Sequence, residues 1–247
     1  MAIAFRGSAS ATAVNGGDPS ITLSGISGLA QNDLVIVAYS IADNDNVDEN
    51  MAMITSGYTE VADLFSNDTV DANLGVFYKF MGVSPDTTAT CDGLGGTDAG
   101  VAAVAMAFSG VATVAQGGPF DVTSTTATGL STAHPNPPSI STFTEATSWV
   151  VIAGGAADSA FSAIPDTITY PTGYTTNPVS AFANDDTNAI VGMGYKSSPA
   201  DPEDPGTMTL SGSLWSDSTD NAWCAVTMAL KVATSGGALT SVCIIGI

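Results

Sequence analysis

A fifteen-residue segment that occurs twice decides the fold of this chain. Residues 65–79 read FSNDTVDANLGVFYK, and residues 182–196 read FANDDTNAIVGMGYK. The two segments are identical at seven of fifteen ungapped positions, including the closing Tyr-Lys pair. Such a match is hard to ascribe to chance, and each segment ends in a short apolar run that is typical of a β-strand. The sequence therefore predicts a duplicated β-rich unit.

Shorter matches extend this repeat on both sides, at offsets that drift as loop lengths change. Upstream, the GYT of residues 57–59 recurs at 173–175. Downstream, AVAMAF at 103–108 corresponds to AVTMAL at 225–230. The period is far longer than that of a solenoid, and there are two copies, so we predict one duplication of a five- or six-stranded unit.

We expect the two copies to form one jelly-roll-like antiparallel β-sandwich that spans residues 1–233, because each copy alone has few strands and would expose a hydrophobic face. The first repeat covers about 20–111 and the second about 138–231. The Thr-, Gly- and Pro-rich stretch 112–137 between them is predicted to be an extended linker. Residues 234–247 are predicted to be a C-terminal tail or docking arm.

The predicted strands are short runs rich in Val, Ile, Thr and Tyr that are separated by Gly, Pro, Asn and Asp. They are Ile21–Ser24, Leu34–Ser40, Leu74–Met81, Thr87–Cys91, Val101–Phe108, Ser139–Phe143, Trp149–Ala153, Ile190–Lys196, Thr207–Ser211 and Ala222–Lys231. In the last strand of each repeat, large side chains alternate with small ones. The large ones predict the sandwich core, and the small ones predict close cover by the protein's own loops.

The charge balance excludes several classes of partner. The chain has 24 Asp and Glu but 4 Lys and Arg, a net charge of -20. Such a chain is repelled by nucleic-acid phosphates and by anionic lipid surfaces. The longest apolar run is far too short to cross a membrane, and the first residues lack the pattern of a signal peptide. We therefore expect a protein made in a cytoplasm, with no nucleic-acid binding and no membrane insertion.

Catalytic and zinc-binding patterns are missing from the sequence. The single histidine, His134, is followed by proline, and no GxSxG occurs. Zinc needs four well-spaced ligands, which one histidine and three scattered cysteines do not supply. Cys91, Cys224 and Cys243 are odd in number and form no CxxC, so free thiols are expected, buried at Cys91 and Cys224. The sequence predicts that the protein is not an enzyme.

One loop is rich in oxygen ligands. The segment of residues 43–50 reads DNDNVDEN and supplies Asp43, Asp45, Asp48 and Glu49 as candidate metal ligands. Hard cations such as Ca²⁺ take about six to eight oxygen ligands, so calcium is the cofactor that this loop would suit, and no other cofactor is indicated. The loop lacks the glycine and the closing glutamate of an EF-hand. Asn and Asp also favour turns by themselves, so a solvated loop is the alternative.

Aromatic residues supply the remaining candidates. Tyr58 and Tyr174 occupy equal positions in the two copies, as do the lysines Lys79 and Lys196. A structural role is favoured, in which each lysine pairs with a nearby carboxylate or caps a strand end. The alternative is a surface for glycan or partner contact, formed by Tyr58, Tyr174 and Trp215, because exposed aromatic rings mark binding sites. Trp215 lies in a Gly/Ser/Asp loop and is the candidate for stacking on a sugar.

Taken together, the motifs resemble those of a known group of proteins. A [PT]-x-G-Y-T turn occurs at 55–59 and again at 171–175, AVAMAFSGV occupies 103–111, and AWCAVTMALK closes the second repeat at 222–231. This pattern resembles a widespread group of phage and bacterial proteins with jelly-roll-like, lectin-like β-sandwiches, which occur as phage head-decoration or tail-fibre proteins. The resemblance covers about residues 20–231 and carries no catalytic residues.

The resemblance implies a non-enzymatic structural protein of the virion, either a capsid decoration (cement) protein or a fibre component. Its partners would be capsid or other virion proteins and further copies of itself, and its location would be the virus particle. The alternative is a carbohydrate-binding adhesin module, calcium-assisted through the acidic loop. A glycan would then be the partner.

Overall fold

The fold is entirely β in the computed structural model, which describes residues 2–94, 96, 99–130, 134–158, 167–211 and 222–234. Two short 3-10 helices, Leu23–Gly25 and Val114–Gln116, accompany the strands. None of the helices in the described part of the chain has the length and apolar character needed to cross a membrane. The strands are β1 (Ala4–Ala13), β2 (Ser20–Thr22), β3 (Leu34–Asp43), β4 (Thr59–Ser66), β5 (Asp71–Phe80), β6 (Thr88–Thr90), β7 (Gly100–Ser109), β8 (Thr125–Leu130), β9 (Trp149–Asp158), β10 (Thr167–Thr169), β11 (Val179–Ala183), β12 (Asn188–Lys196), β13 (Thr209–Ser211) and β14 (Ala222–Leu230).

Two five-stranded antiparallel sheets form the body of the molecule. The first has the order β1-β7-β3-β5-β4 and the second the order β11-β12-β9-β14-β8. Strands that the sequence repeat pairs hold equal places: β3 and β9 are central, β7 and β14 lie on one side, and β5 and β12 on the other. Each sheet comes from one contiguous part of the chain, residues 4–109 and 125–230. Jelly-roll sandwiches are built from Greek keys that cross between sheets, so that part of the prediction is not confirmed.

The sheets pack face to face around one shared core. β3 lies against β9, β7 against β12 and β5 against β14. Alternating residues of both sheets enter the same hydrophobic cluster, because successive side chains of a strand point to opposite faces. The large side chains predicted for the core are among them: Val104, Met106, Phe108, Cys224, Val226, Met228 and Leu230.

The outer face of each sheet is covered by the chain itself. Behind the first sheet, Ala103, Ala105 and Ala107 of β7 belong to the same buried cluster as Ile21, Leu23 and Met51. Short antiparallel pairs, β2 with β6 and β10 with β13, help to form the outer layers. Behind the second sheet, Ala225 and Ala229 are buried under neighbouring segments in the same way. The small side chains therefore allow close cover by loops, as predicted.

Several elements differ from the sequence prediction. β1, β4, β8, β10 and β11 were not predicted, and the stretch 112–137, predicted to be a linker, contains β8. These strands are short or lie at sheet edges, so their side chains are small, polar or half-exposed and lack the apolar signature of a buried strand. The predicted strand 139–143 is not formed, and within it Ile140 makes a single bridge to Glu203. Residues 235–247 of the predicted tail lie outside the described residues.

Candidate functional site

The candidate site lies where β3 ends and β5 begins. Asp43 is the last residue of β3, Asp71 is the first of β5, and the two are opposite each other in the strand pairing. Both side chains lie on the outer face of the first sheet. Alternate residues of a strand share a face, so Asp43 lies on the same face as Ile41, which packs in the outer cluster. Asp71 lies on the same face as Asn73, the pairing partner of Ile41. The acidic loop 44–50 then turns over this corner, with Asn46 in the left-handed backbone region that Asn tolerates.

The loop brings further carboxylates to the same corner. One oxygen each of Asp43, Asp45 and Glu49 lies within 4.8 Å of the others. Asp48, the fourth ligand predicted from the sequence, is exposed and outside this group. The Asn73 side chain accepts a hydrogen bond from the Glu49 backbone N–H at 3.0 Å, which fixes the end of the loop. We call Asp43, Asp45, Glu49 and Asp71 the carboxylate cluster.

Two members of the carboxylate cluster are buried next to each other. Asp43 is 2% exposed and Asp71 is 0% exposed. All four of their carboxylate oxygens are buried and none has a donor at full hydrogen-bond geometry among the described residues, although the two carboxyls interact with each other and the backbone N–H groups of Asp45 and Val47 act on them. Two ionised carboxylates have no hydrogen atom to share, so these N–H groups offset only part of the cost of burying both charges. Burying a charge in this way is costly unless an ion or a proton neutralises it.

Burial and the neighbouring charges raise the pKa values of three of these carboxyls. Burial raises the pKa of Asp43, and the neighbouring Asp71 carboxyl adds to the effect. Burial also raises the pKa of Asp71. For Glu49, burial acts first and the charges of Asp45 and Asp71 follow. Each shift has the sign expected when the charged form is desolvated beside like charges.

No side-chain cation of the chain neutralises this corner. The four are Arg6, Lys79, Lys196 and Lys231, and three make ion pairs: Arg6 with Asp33 at 3.2 Å, Lys79 with Asp86 at 2.6 Å and Lys196 with Glu203 at 2.8 Å. The strand registers place all four at the other end of the sandwich, where β3 starts. Nine residues of extended strand separate the two ends, about 30 Å, which is well beyond the screening length in physiological salt.

The second sheet offers an internal comparison. The positions equivalent to Asp43 and Asp71 are Asp158 and Asn188, which are also opposite each other in the strand pairing. Asn188 is buried, and its side-chain oxygen accepts a hydrogen bond from the Asp185 backbone N–H at 3.2 Å. An amide thus stands where the first sheet has its second carboxylate. The second sheet therefore lacks the second carboxylate at this strand pair.

The predicted aromatic contacts have a different outcome. Tyr174 is completely buried, and its hydroxyl donates to Glu203 Oε1 at 3.0 Å, so its prediction as a surface contact is wrong. Tyr58 is half-buried, with a buried hydroxyl and the Lys79 ammonium 5.4 Å from its ring centroid. Trp215 lies outside the described residues. The structural interpretation of the two lysines is confirmed, because each pairs with a carboxylate seven residues further along the chain.

The remaining candidates have structural partners. His134 Nδ1 accepts a hydrogen bond from the Leu210 backbone N–H at 3.2 Å. Cys91 and Cys224 are buried free thiols, as predicted, and burial raises their pKa values. Cys243 lies outside the described residues.

Comparison with known proteins adds no relative. The chain matches no protein-family model, no curated protein and no solved structure. The resemblance to phage decoration and fibre proteins therefore stays a prediction.

Sequence reasoning identified the loop of this site but missed Asp71 and Asn73. Both are polar residues two positions apart at the start of a strand whose next residues, 74–77, are apolar, so they share one face. A buried polar pair on one strand face is a signal for a polar site. Their proximity to Asp43 depends on the register of β3 with β5, which the sequence did not specify.

Proposed function

We propose that this chain is a non-enzymatic structural protein of a virus particle, working through protein–protein assembly as a capsid decoration (cement) protein or a fibre component. The observation that carries the proposal is the edge strand β8. Among the described residues no strand pairs with its outer side. Strand edges of this kind are templates for pairing with another chain.

The edges of the first sheet are protected against such pairing. β1 has a register shift between Phe5 and Gly7, next to the charged Arg6. β4 has a shift between Glu60 and Ala62. Bulges and charges at sheet edges prevent unwanted strand addition. The first sheet is therefore a poor docking edge.

The β8 edge lacks both devices. Its six residues, TTATGL, pair with β14 in a continuous register and include no charged side chain. The side chains of Thr126, Thr128 and Leu130 are exposed, Leu130 at 51%. A neutral docking edge suits a strongly acidic chain, because two such edges meet without the repulsion that acidic surfaces would add.

Two measurements test this proposal. Purified virus particles should contain the chain by mass spectrometry, and the isolated chain should associate with rising concentration in light scattering coupled to gel filtration. Thr128→Lys on the β8 edge should shift the chain toward monomer by about tenfold in dissociation constant, which is about 1.4 kcal/mol. Thr12→Lys, at an exposed position of the bulged β1 edge, is the matched control and should leave association unchanged. A chain absent from particles and monomeric at every concentration would contradict the proposal.

A second candidate, a glycan-binding module, is favoured by one groove. It has a volume of about 400 Å³ and is lined by the half-buried Trp149 together with Thr147, Ser197 and Ser198. The Trp149 ring stacks on Tyr195 with centroids 5.1 Å apart, so it is held rigidly. An aromatic wall beside hydroxyl groups suits a sugar. A glycan array tests this candidate: binding that Ser198→Glu abolishes supports it, and an array without signal contradicts it.

A further inference from the structure

We propose that Asp43, Asp45, Glu49 and Asp71 bind one divalent cation of the calcium type, which holds the loop 44–50 against the end of the first sheet. The proposal concerns a different part of the molecule from the β8 edge and does not depend on it. It differs from the sequence prediction in two residues, since it adds Asp71 and leaves out Asp48.

Geometry is the first argument for a cation. Three carboxylate oxygens already lie within 4.8 Å of one another, as ligands of a single ion must. Asp71 lies outside this three-oxygen group, but unlike the exposed Asp48 it is buried opposite Asp43 in the strand pair and its carboxyl interacts directly with that of Asp43. The donors therefore come from the end of β3, the start of β5 and the loop between β3 and β4. One ion would link three segments that no lysine or arginine side chain connects.

The unsatisfied burial of Asp43 and Asp71 is the second and independent argument. Nearly all buried polar groups in proteins have a partner, and a buried carboxylate without one calls for an ion or a proton. Here four oxygens on two adjacent buried side chains lack a donor at full hydrogen-bond geometry, and every lysine and arginine is at the opposite end of the molecule. A single shared proton would neutralise one carboxylate and leave the remaining negative charges of the cluster in place. A divalent cation compensates more of this charge.

The donor set favours calcium over other metals. All donors are carboxylate oxygens, which suit hard cations, whereas zinc prefers nitrogen and sulfur ligands. Magnesium demands near-ideal octahedral geometry and keeps several waters, so a mixed strand-and-loop site is a poor match for it. Calcium accepts irregular arrangements with mono- and bidentate carboxylates. Asp45 is exposed and Glu49 is partly exposed, so the corner is open to ions from solvent.

The experiment uses the full chain, stripped with a chelator and then titrated with CaCl₂ or MgCl₂ in a calorimeter. We expect one Ca²⁺ per chain, at least tenfold tighter binding of Ca²⁺ than of Mg²⁺, and a rise in melting temperature with Ca²⁺. Asp71→Asn makes the first sheet resemble the second, where Asn188 holds the equivalent position. This variant should bind Ca²⁺ at least tenfold more weakly and, without Ca²⁺, melt at a higher temperature than the wild type, because it loses an uncompensated buried charge.

The matched control is Asp48→Asn, which removes the same charge from the same loop at an exposed position outside the cluster. It should keep Ca²⁺ affinity within threefold of the wild type. Glu49→Gln, on the loop, reports on the site should Asp71→Asn fail to fold, and it should weaken binding at least fivefold. Equal losses in Asp48→Asn and Asp71→Asn would show diffuse attraction of cations and overturn the proposal. Folded wild-type protein that takes up no Ca²⁺ at millimolar concentration would overturn it as well, leaving a shared proton as the means of neutralisation.

Discussion

Tyr174 and Tyr58 provide a matched test of what a buried hydroxyl contributes to this fold. Both tyrosines occupy the same place in their halves, and each lies beside a lysine that pairs with a carboxylate. In the second half the Tyr174 hydroxyl donates to Glu203 at 3.0 Å. In the first half the equivalent carboxylate is Asp86, one methylene shorter, and the Tyr58 hydroxyl is buried without a partner among the described residues.

The two Tyr→Phe substitutions should therefore have different effects. A hydrogen bond to a charged acceptor contributes about 1.5–3 kcal/mol. Glu203 keeps its bonds to Lys196 at 2.8 and 3.0 Å and to the Ala200 N–H at 2.7 Å, so Tyr174→Phe should cost about 1.5–2 kcal/mol, at the lower end of that range. Tyr58→Phe removes a hydroxyl that pays its desolvation cost without a bond, so stability should stay equal or rise by up to about 1 kcal/mol.

Urea unfolding followed by circular dichroism measures both effects, with an unchanged m-value as the sign that the unfolded state is the same. For a chain of this size, the loss in Tyr174→Phe corresponds to a fall in melting temperature of about 3–8 °C. Equal destabilisation by the two substitutions would refute the reasoning, since it would mean that the Tyr58 hydroxyl has an equivalent partner.

Three further predictions concern buried carboxylates and a close backbone contact. Burial raises the pKa of Asp63 to about 6, above its value of about 3.9 in an unfolded chain, so its contribution to stability is complete below pH 4 and is lost as the pH rises through 6. Asp63→Asn lacks this titrating group, so the difference in urea midpoint between the variant and the wild type should change with pH between about 4 and 6. Asp121 is the opposite case: burial acts to raise its pKa, but hydrogen bonds to the carboxylate outweigh burial and lower it. Its contribution to stability is therefore present above pH 4 and is lost on further acidification. Asp121→Asn should cost about 1–3 kcal/mol at pH 7. Gly100→Ala would place a Cβ 2.6 Å from the Thr187 carbonyl oxygen and should cost about 1–3 kcal/mol in the same assay, whereas Gly25→Ala, with open space around it, should change stability little.

The sequence predicted the central strands because their side chains are buried along the whole strand. β3, β7 and β14 are buried on both faces, so their apolar composition is continuous and easily read. β1 and β8 pair on one side only, and small or polar residues such as Ser8 and Thr126 are sufficient there. Their strand character comes from pairing with β7 and β14, which is a tertiary effect.

The candidate site was predictable to the extent that it lies in one loop. Asp43, Asp45 and Glu49 are close in sequence, and the sequence named them together. The register of β3 with β5 places Asp71 beside Asp43, and the conformation of the loop keeps Asp48 out of the three-oxygen group. A local sequence pattern contains neither the register nor the loop conformation. The prediction that Tyr174 lies at the surface was wrong for a related reason. The local sequence around a tyrosine near a lysine is the same whether the ring is exposed or lies under an ion pair.

The two ends of the sandwich differ in charge. At one end lie all four lysine and arginine side chains, and three of them pair with a carboxylate. At the other end, the loops that carry Asp45 and Asp186 present bare negative charge to solvent. Two copies that approach with their acidic ends together repel one another, and salt weakens this repulsion. An approach that keeps the two acidic ends apart is therefore favoured before any specific contact forms.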